Sequence, residues 1–497
     1  MPIPSHPEPL PETTLAAFTG TDPTTPLDVL PEQPQVADVS APPTRLDRLL
    51  GWISSTLGID RAVAFTILAR GWSSLAGIGT LTLIAHSLSP VEQGYYYTFY
   101  SLVALQVVFE LGFSVVILQT ASHEAAHLTI GPDGMITGPE SSHARLASVL
   151  QKSIRWYTAA AVLMVVILLP VGIHFFSAQA AKHPGADAVS WFFPWLLVVG
   201  ATSCTFQLDP IFSFLEGCGY VSNVARTRLT QVMLGTLFGW TVLLLHHGLY
   251  APGLIILGQA IAGGYYVVRK RHLLIPLFRH AVGDYRIDWG TEIWPFQWRI
   301  AVSWLCGYFT FQIFNPILFA YRGPIEAGQM GMSMNICGTL SALTISWMNT
   351  KSAPFGRMIA LRDFGQLDTV FFRTLIQSTT AAILACSAVW GVTVFLRDHH
   401  IRFALRLLPP LPLALLLAAT VANIVVFGFA IYLRAHKQEK FMWNSIAGAL
   451  WIAPTALIFG RSHGALGIAV TYSLAALIIG IGSGSFTFFK YRKLWHG

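Results

Sequence analysis

"SLSPVEQGYYY", Ser87–Tyr97, joins two long apolar runs, and "YRGPIEAGQMG", Tyr321–Gly331, joins two more. Pro90, Glu92 and Gly94 recur as Pro324, Glu326 and Gly328, each 234 positions further on. The same pattern in the same setting, half a protein apart, points to an internal duplication. In each copy Pro is expected to stop one helix, and Gly to let the chain turn back into the next.

What surrounds the two turns is apolar. Hydrophobic residues make up 54% of the 497 and charged residues only 11%, against about 25% charged in a soluble globular domain. Most of this surface must face lipid. A membrane span needs about 20 mostly apolar residues. Twelve such segments can be marked, near 64–88, 95–119, 155–177, 190–212, 226–246, 250–268, 298–320, 329–350, 371–396, 411–433, 442–459 and 464–489. The two Pro-x-Glu-x-Gly turns follow the first and the seventh. Six spans separate them, an even number, so both turns point to the same side of the membrane. That is a parallel repeat, two lobes related by an axis along the membrane normal, as in many transporters. "FSFLEGCG" after the fourth span and "FAIYLRAHKQ" after the tenth occupy matching places in the two halves. The expected fold is all-α and polytopic, with about 12 transmembrane helices in two six-helix lobes. The first lobe covers 61–268, with a polar cytoplasmic insertion at 120–153. A basic cytoplasmic linker, 269–297, leads to the second lobe, 298–497, which ends in a short basic tail.

Orientation follows from the loops. With the N-terminus inside, 24 of the 31 Lys and Arg fall in cytoplasmic segments and six outside, leaving Arg70 within the first span. Both termini are therefore expected to be cytoplasmic. The main exception is the 397–410 loop, which puts Arg397, Arg402 and Arg406 outside. The net charge of +7 then reflects anchoring to an anionic inner leaflet, not nucleic-acid binding. The five cysteines lie in or beside apolar runs without paired spacing, and read as small apolar side chains.

Residues 1–43 differ from the rest. Eleven of the 28 prolines and six acidic residues fall there, and the first basic residue is Arg45. Such a segment buries too little apolar surface to offset chain entropy, and is expected to be disordered. Over 44–60, Leu46, Leu49, Leu50, Ile53 and Leu57 fall at helical spacing. They suit either an amphipathic helix on the membrane surface or the solvated start of the first span.

The stretch "LSPVEQGYYYTFYSLVALQVVFELGFSVVILQ" resembles the first helical hairpin of bacterial polysaccharide flippases. These form the O-antigen-flippase-like branch of the multidrug/oligosaccharidyl-lipid/polysaccharide exporter superfamily. A Leu-Ser-Pro-x-x-x-Gly-x-Tyr turn there leads into a span holding an acidic-Leu-Gly triplet, here Glu110, Leu111 and Gly112. "FLEGCGYVSNVARTRL" is similar to the motif after the family's fourth span. The polar 120–153 segment is longer than the family usually carries. The resemblance implies a non-enzymatic flippase of the bacterial inner membrane, moving polyprenyl-diphosphate-linked oligosaccharide by alternating access for lipopolysaccharide or exopolysaccharide synthesis. Its partners would be the lipid bilayer, the lipid-linked oligosaccharide, a polysaccharide polymerase and glycosyltransferases. A small-molecule or drug exporter of the same superfamily is the alternative.

Ionisable residues inside the membrane are the first site candidates. Arg70 lies about 22 residues before the first turn and Glu110 about 18 after it. On antiparallel helices those offsets put both within about 6 Å in depth, and Asp209, with Gln207 beside it, falls near the same level. A polar cavity between the first, second and fourth spans is expected, where Arg70 takes a lipid diphosphate. Glu110 or Asp209 would hold Arg70 or carry a coupling ion, a proton or sodium, and no other cofactor is called for. The competing reading has Arg70 snorkelling to the headgroups and Asp209-Pro210 ending a helix. In the second half, Gln312, Asn315, Asn335, Asn349 and Asn423 suit either sugar hydroxyls or helix–helix hydrogen bonds.

"SHEAAHLTI" holds His123-Glu124-Ala125-Ala126-His127, an H-E-x-x-H pattern that seats zinc in metalloproteases. A protease also needs a third ligand and a long shielding helix. Here Asp133-Gly134 follows between short β-prone stretches, as in a hairpin turn, so the helix should end near His127. Glu140 or His143 is available for recruitment, but the spacing requires neither. The pattern reads as a decoy, with no metal at His123, Glu124 and His127.

Two outcomes are expected. Removing residues 1–43 leaves the amount of membrane-inserted protein unchanged in fractionated cells, because the segment has no apolar anchor. His127→Ala leaves the zinc content of the purified protein, measured by elemental analysis, equal to wild type.

Overall fold

A computed structural model describes residues 61–131, 136–180, 189–283, 285–436 and 440–496. The 1–43 tail, the 44–60 segment and the Asp133-Gly134 turn lie outside the described residues. Seventeen helices run in order: α1 (Arg61–Ser87), α2 (Pro90–Val103), α3 (Gln106–Glu110), α4 (Phe113–Ala125), α5 (Glu140–Ala180), α6 (Phe192–Gly217), α7 (Val221–Leu244), α8 (Ala251–Arg269), α9 (Arg271–Arg279), α10 (Trp294–Phe311), α11 (Phe314–Tyr321), α12 (Pro324–Asn349), α13 (Ser352–Ala360), α14 (Phe364–Asp398), α15 (Pro410–Ala435), α16 (Met442–Ala475) and α17 (Gly484–His496). The sole sheet among the described residues is the expected hairpin, Thr129–Ile130 antiparallel to Ile136–Thr137. It follows α4, which ends at Ala125.

Among the described residues, seven helices are individually long and apolar enough to cross a membrane, and nine if each of two bent pairs is one span. The longest, Met442–Trp495, is two crossings. It reverses at Gly464, whose backbone (φ 62°, ψ −143°) suits glycine. The reversal brings the Trp451 indole N–H to the Thr471 carbonyl at 3.3 Å. The remaining two crossings, α7 (24 residues) and α12 (26 residues), are long enough to span but less apolar. Twelve transmembrane crossings result among the described residues.

The crossings fall into two lobes. In the first, α1 packs on α7, α7 on α8, α8 on α6, and α6 on α4 and α5. In the second, α12 packs on α11, α14 and α15, and α16 on α10, α11 and α15. The second and seventh crossings are broken. Leu111 and Gly112 adopt left-handed conformations (φ 53° and 66°), and the chain bends by 43° between α2–α3 and α4. The seventh bends by 41° between α10 and α11.

The repeated motif corrects one expectation. Pro90 and Pro324 do not end the preceding helices; each occupies the first turn of the next one, where its missing N–H costs nothing. Nor do Gly94 and Gly328 make turns. Both are helical and buried, and they are where the lobes meet: α2 and α12 cross at these glycines. A methyl group on Gly94 would sit 2.0 Å from the Pro324 carbonyl oxygen, and one on Gly328 would sit 2.8 Å from the Gly94 nitrogen. Because the crossing lies at the same distance from both helix starts, the two turns share one end of the bundle. Equivalent residues that touch must lie on the axis relating the lobes.

The glutamates of the motif have separate tasks. Glu92 completes a capping box, accepting from the Ser89 N–H at 2.8 Å while Ser89 Oγ accepts from the Glu92 N–H at 3.1 Å. Glu326 accepts from the Ala465 N–H at 2.5 Å and holds the tip of the last helical hairpin.

Overpacking a closed crossing costs about 1–3 kcal/mol. Gly94→Ala is expected to lower the thermal midpoint of the purified protein by several degrees. Gly391→Ala, at a position on α14 with open space around it, should leave the midpoint unchanged or raise it slightly.

Candidate functional site

A cavity of about 1050 Å³ opens between the lobes, beneath the Gly94–Gly328 crossing. Helix α1 contributes Ser73, Ser74, Gly77 and Thr80, one face at helical spacing. Helix α2 contributes Tyr96, Tyr97, Tyr100 and Ser101; Thr202, Thr205, Thr236 and Gln259 complete the first lobe's wall. The second lobe supplies Gln312, Asn315, Asn335, Thr420, Asn423 and Tyr472. No Asp, Glu, Lys or Arg is among the lining residues. The wall is neutral, rich in hydroxyls and amides, with aromatic rings between them.

Several of these groups are held in place. Asn315 Nδ2 donates to Ser101 Oγ at 2.9 Å, a bond from α11 to α2 across the lobes. Asn423 Nδ2 donates to the Tyr472 hydroxyl at 2.8 Å. The Asn315 Oδ1 and the Tyr97 hydroxyl are buried with no hydrogen-bond partner among the described residues. Both belong to side chains that line the cavity, an acceptor and a donor set just behind its surface.

The end of the cavity beside the Pro90 and Pro324 turns is shut. Gln93 Nε2 donates to the carbonyls of Gly328 (2.9 Å) and Arg406 (3.0 Å). The Arg406 guanidinium, on the loop between α14 and α15, donates to the carbonyls of Ala85 (3.0 Å) and Leu88 at the end of α1. Burial pulls the Arg406 pKa below its ordinary value, with Glu92 opposing. One basic exception to the orientation pattern is thus a strut between lobes. Away from this end the lining becomes exposed, at Asn335, Gly338 and Ala342.

The sequence-derived candidates separate into three groups. Gln312 and Asn315 line the cavity, as do Asn335 and Asn423; Asn349, Arg70, Glu110, Gln207 and Asp209 do not. Arg70 is exposed on α1, three and four residues before Ser73 and Ser74, so it shares their face beyond the lined region. Glu110 and Asp209 come together inside the first lobe. Ser114 Oγ donates to Glu110 at 2.7 Å, and Tyr157 lies within electrostatic reach of both carboxylates. Arg228, paired with Glu216 at 3.3 Å, supplies the nearby positive charge. The three intramembrane charges therefore do not frame a cavity between the first, second and fourth spans. Desolvation explains the sorting: a charge is cheaper beside partners inside a lobe, or at a helix end, than in a half-empty cavity.

The residues missed from sequence were the hydroxyls of α1 and the tyrosines of α2. Ser73, Gly77 and Thr80 repeat at helical spacing in an otherwise apolar run, a detectable polar stripe. The "GYYYTFYS" tyrosines gave no such signal, because only the crossing of α2 and α12 puts them inside the protein.

Of the H-E-x-x-H residues, Glu124 has a structural partner. Glu124 is buried against Arg145 at 2.8 Å, and Arg145 reaches on to Glu292 at 2.6 Å. His127 lies past the end of α4. The cysteines are free, with no disulfide.

No family model matches the chain, and no characterised protein matches it by sequence. Solved structures do. An inward-facing multidrug resistance MATE family transporter of the MOP superfamily aligns with a TM-score of 0.59 at 13% identity, over 86% of this chain and 99% of that one. The lipid II flippase MurJ, in an inward closed conformation, aligns with a TM-score of 0.57 at 14% identity, over 87% of each chain. The eukaryotic MATE transporter AtDTX14 aligns with a TM-score of 0.56 at 12% identity, over 90% of this chain and 99% of that one. At such identities the likeness is one of architecture, and this chain has the two-lobed fold that these MATE transporters and MurJ share.

Proposed function

We propose that this protein is a non-enzymatic flippase of the bacterial inner membrane that moves polyprenyl-diphosphate-linked oligosaccharide by alternating access. The observation that carries this reading is the cavity wall, large, neutral and crowded with hydroxyl, amide and aromatic groups. A neutral glycan presents many hydroxyls and no fixed charge, and a neutral wall of hydroxyls and amides offers donors and acceptors to it. The lipid-linked substrate of the MurJ neighbour supports the same cargo class. Arg70, at the edge of the cavity on the Ser73 and Ser74 face, receives the diphosphate while the sugar occupies the interior. The Glu110–Asp209 pair, enclosed in the first lobe, carries the coupling proton or sodium ion. The Gly94–Gly328 crossing and the Arg406 strut close the far side in this state and part in the other. A polysaccharide polymerase and glycosyltransferases act on either side of this step.

A second reading, export of a small neutral or aromatic compound, is favoured by the Tyr96, Tyr97 and Tyr100 cluster and by the MATE neighbours. The absence of any lining carboxylate argues against a cationic drug.

The test is accumulation of inward-facing lipid-linked sugars in a deletion strain complemented with variants. A charge-assisted hydrogen bond contributes about 1.5–3 kcal/mol, so Arg70→Ala should slow flipping roughly tenfold to a hundredfold at normal protein level. Arg70→Lys keeps part of the activity, because a point charge still attracts phosphate. Asn315→Leu should slow it too. Wild-type flipping by Arg70→Ala would assign Arg70 to headgroup snorkelling. A deletion strain without accumulated sugar lipids, but with lost dye efflux, would establish the second reading.

A further inference from the structure

Glu140 and His143, both available to the H-E-x-x-H pattern by sequence, form a cluster of their own away from it. They open α5 three positions apart, so both side chains lie on one helix face. His280 meets them from the chain that follows α9, the start of the connection between lobes. His280 Nε2 lies 2.9 Å from Glu140 Oε1, and the rings of His143 and His280 stack with centroids 4.1 Å apart. One ligand atom from each of the three residues falls within 4.8 Å of the others. Among the described residues no other group of three or more His, Cys, Asp or Glu is so placed.

We propose that Glu140, His143 and His280 bind a divalent transition-metal ion, zinc being the ion their donor set suits. Ligands at about 2.0–2.2 Å from a tetrahedral zinc are about 3.3–3.6 Å from one another, so small side-chain rotations bring the cluster to binding geometry. Two imidazoles and one carboxylate leave a position for water, the composition of an open zinc site. The backbone carrying the ligands is already fixed. Gln151 Nε2 donates to the His280 carbonyl at 2.8 Å, and the His143 N–H donates to the Pro139 carbonyl at 3.1 Å. Farther along, the Ile287 N–H donates to Ser148 Oγ at 3.3 Å. The metal would be one more tie between α5 and the inter-lobe connection, restraining the segment that must follow any rotation of one lobe against the other. The site is remote from the cavity and does not depend on what the cavity carries.

The experiment uses the full-length protein in detergent, stripped with a chelator and titrated with zinc by calorimetry. One ion per chain is expected, with a thermal midpoint that rises on loading. His143→Ala and His280→Ala should each abolish binding, Glu140→Gln should weaken it by about tenfold or more, and His127→Ala should bind as wild type does. Equal midpoints for the metal-free variants and metal-free wild type show that folding is intact, and His280→Cys, which keeps a ligand, should restore binding. Cobalt in place of zinc reports the donor set through its visible spectrum, which should change in His280→Cys. Absence of saturable binding overturns the proposal, as does binding lost in His127→Ala but kept in His143→Ala and His280→Ala.

Discussion

The architecture turns on one contact, where the Gly94 and Gly328 backbones pass without side chains between them. A Cβ at either position would collide with main-chain atoms of the other helix. Main chain cannot move aside as a side chain can, so the crossing admits only glycine at this separation. That closeness lets α2 lie buried on every side, with Tyr95, Tyr97 and Phe99 packed inside the protein. Phe319 of the second lobe reaches Tyr95 at 4.8 Å and Phe176 at 5.5 Å. The lobes are thus clamped at one end by aromatic packing around a glycine crossing, and the space between them widens toward the other.

The polarity of the interior follows from this clamp. Helices that face lipid on one side and protein on the other remain apolar. Helix α12 faces the cavity, the crossing and its own lobe, so it carries Gln329, Ser333, Asn335 and Thr339 without exposing them to hydrocarbon. Intramembrane hydrogen bonds of this kind contribute modestly, because the unfolded helix also finds partners. Their value lies in placement, since Asn315 is fixed by Ser101 from the opposite lobe.

Ion pairs gather at the opposite end from the crossing. Arg145 joins Glu124 of α4 to Glu292 of the inter-lobe connection, and Lys152 donates to the Ile287 carbonyl. Thr129–Ile130 pairs with Ile136–Thr137, and a 41-residue helix starts at Glu140; its first turns are the surface on which the connection is laid.

Hydropathy determined the membrane class and the number of crossings by counting apolar residues, and the repeated Pro-x-Glu-x-Gly motif, six spans apart, determined the parallel relation of the halves. The β-hairpin after α4 was equally legible, since Asp133-Gly134 between short β-prone stretches is a local signal. The role of the repeated glycines was not legible: the same Pro-x-Glu-x-Gly suits a turn or a helix start, and only the partner helix decides. Nor was the site. Counting residues from the turn puts Arg70, Glu110 and Asp209 at a similar expected depth, but depth says nothing about direction around a helix axis. Tertiary packing turned Glu110 and Asp209 into the first lobe and left the cavity to neutral groups. It also joined Glu140 and His143 to His280, 137 positions beyond His143, a proximity that no local spacing encodes.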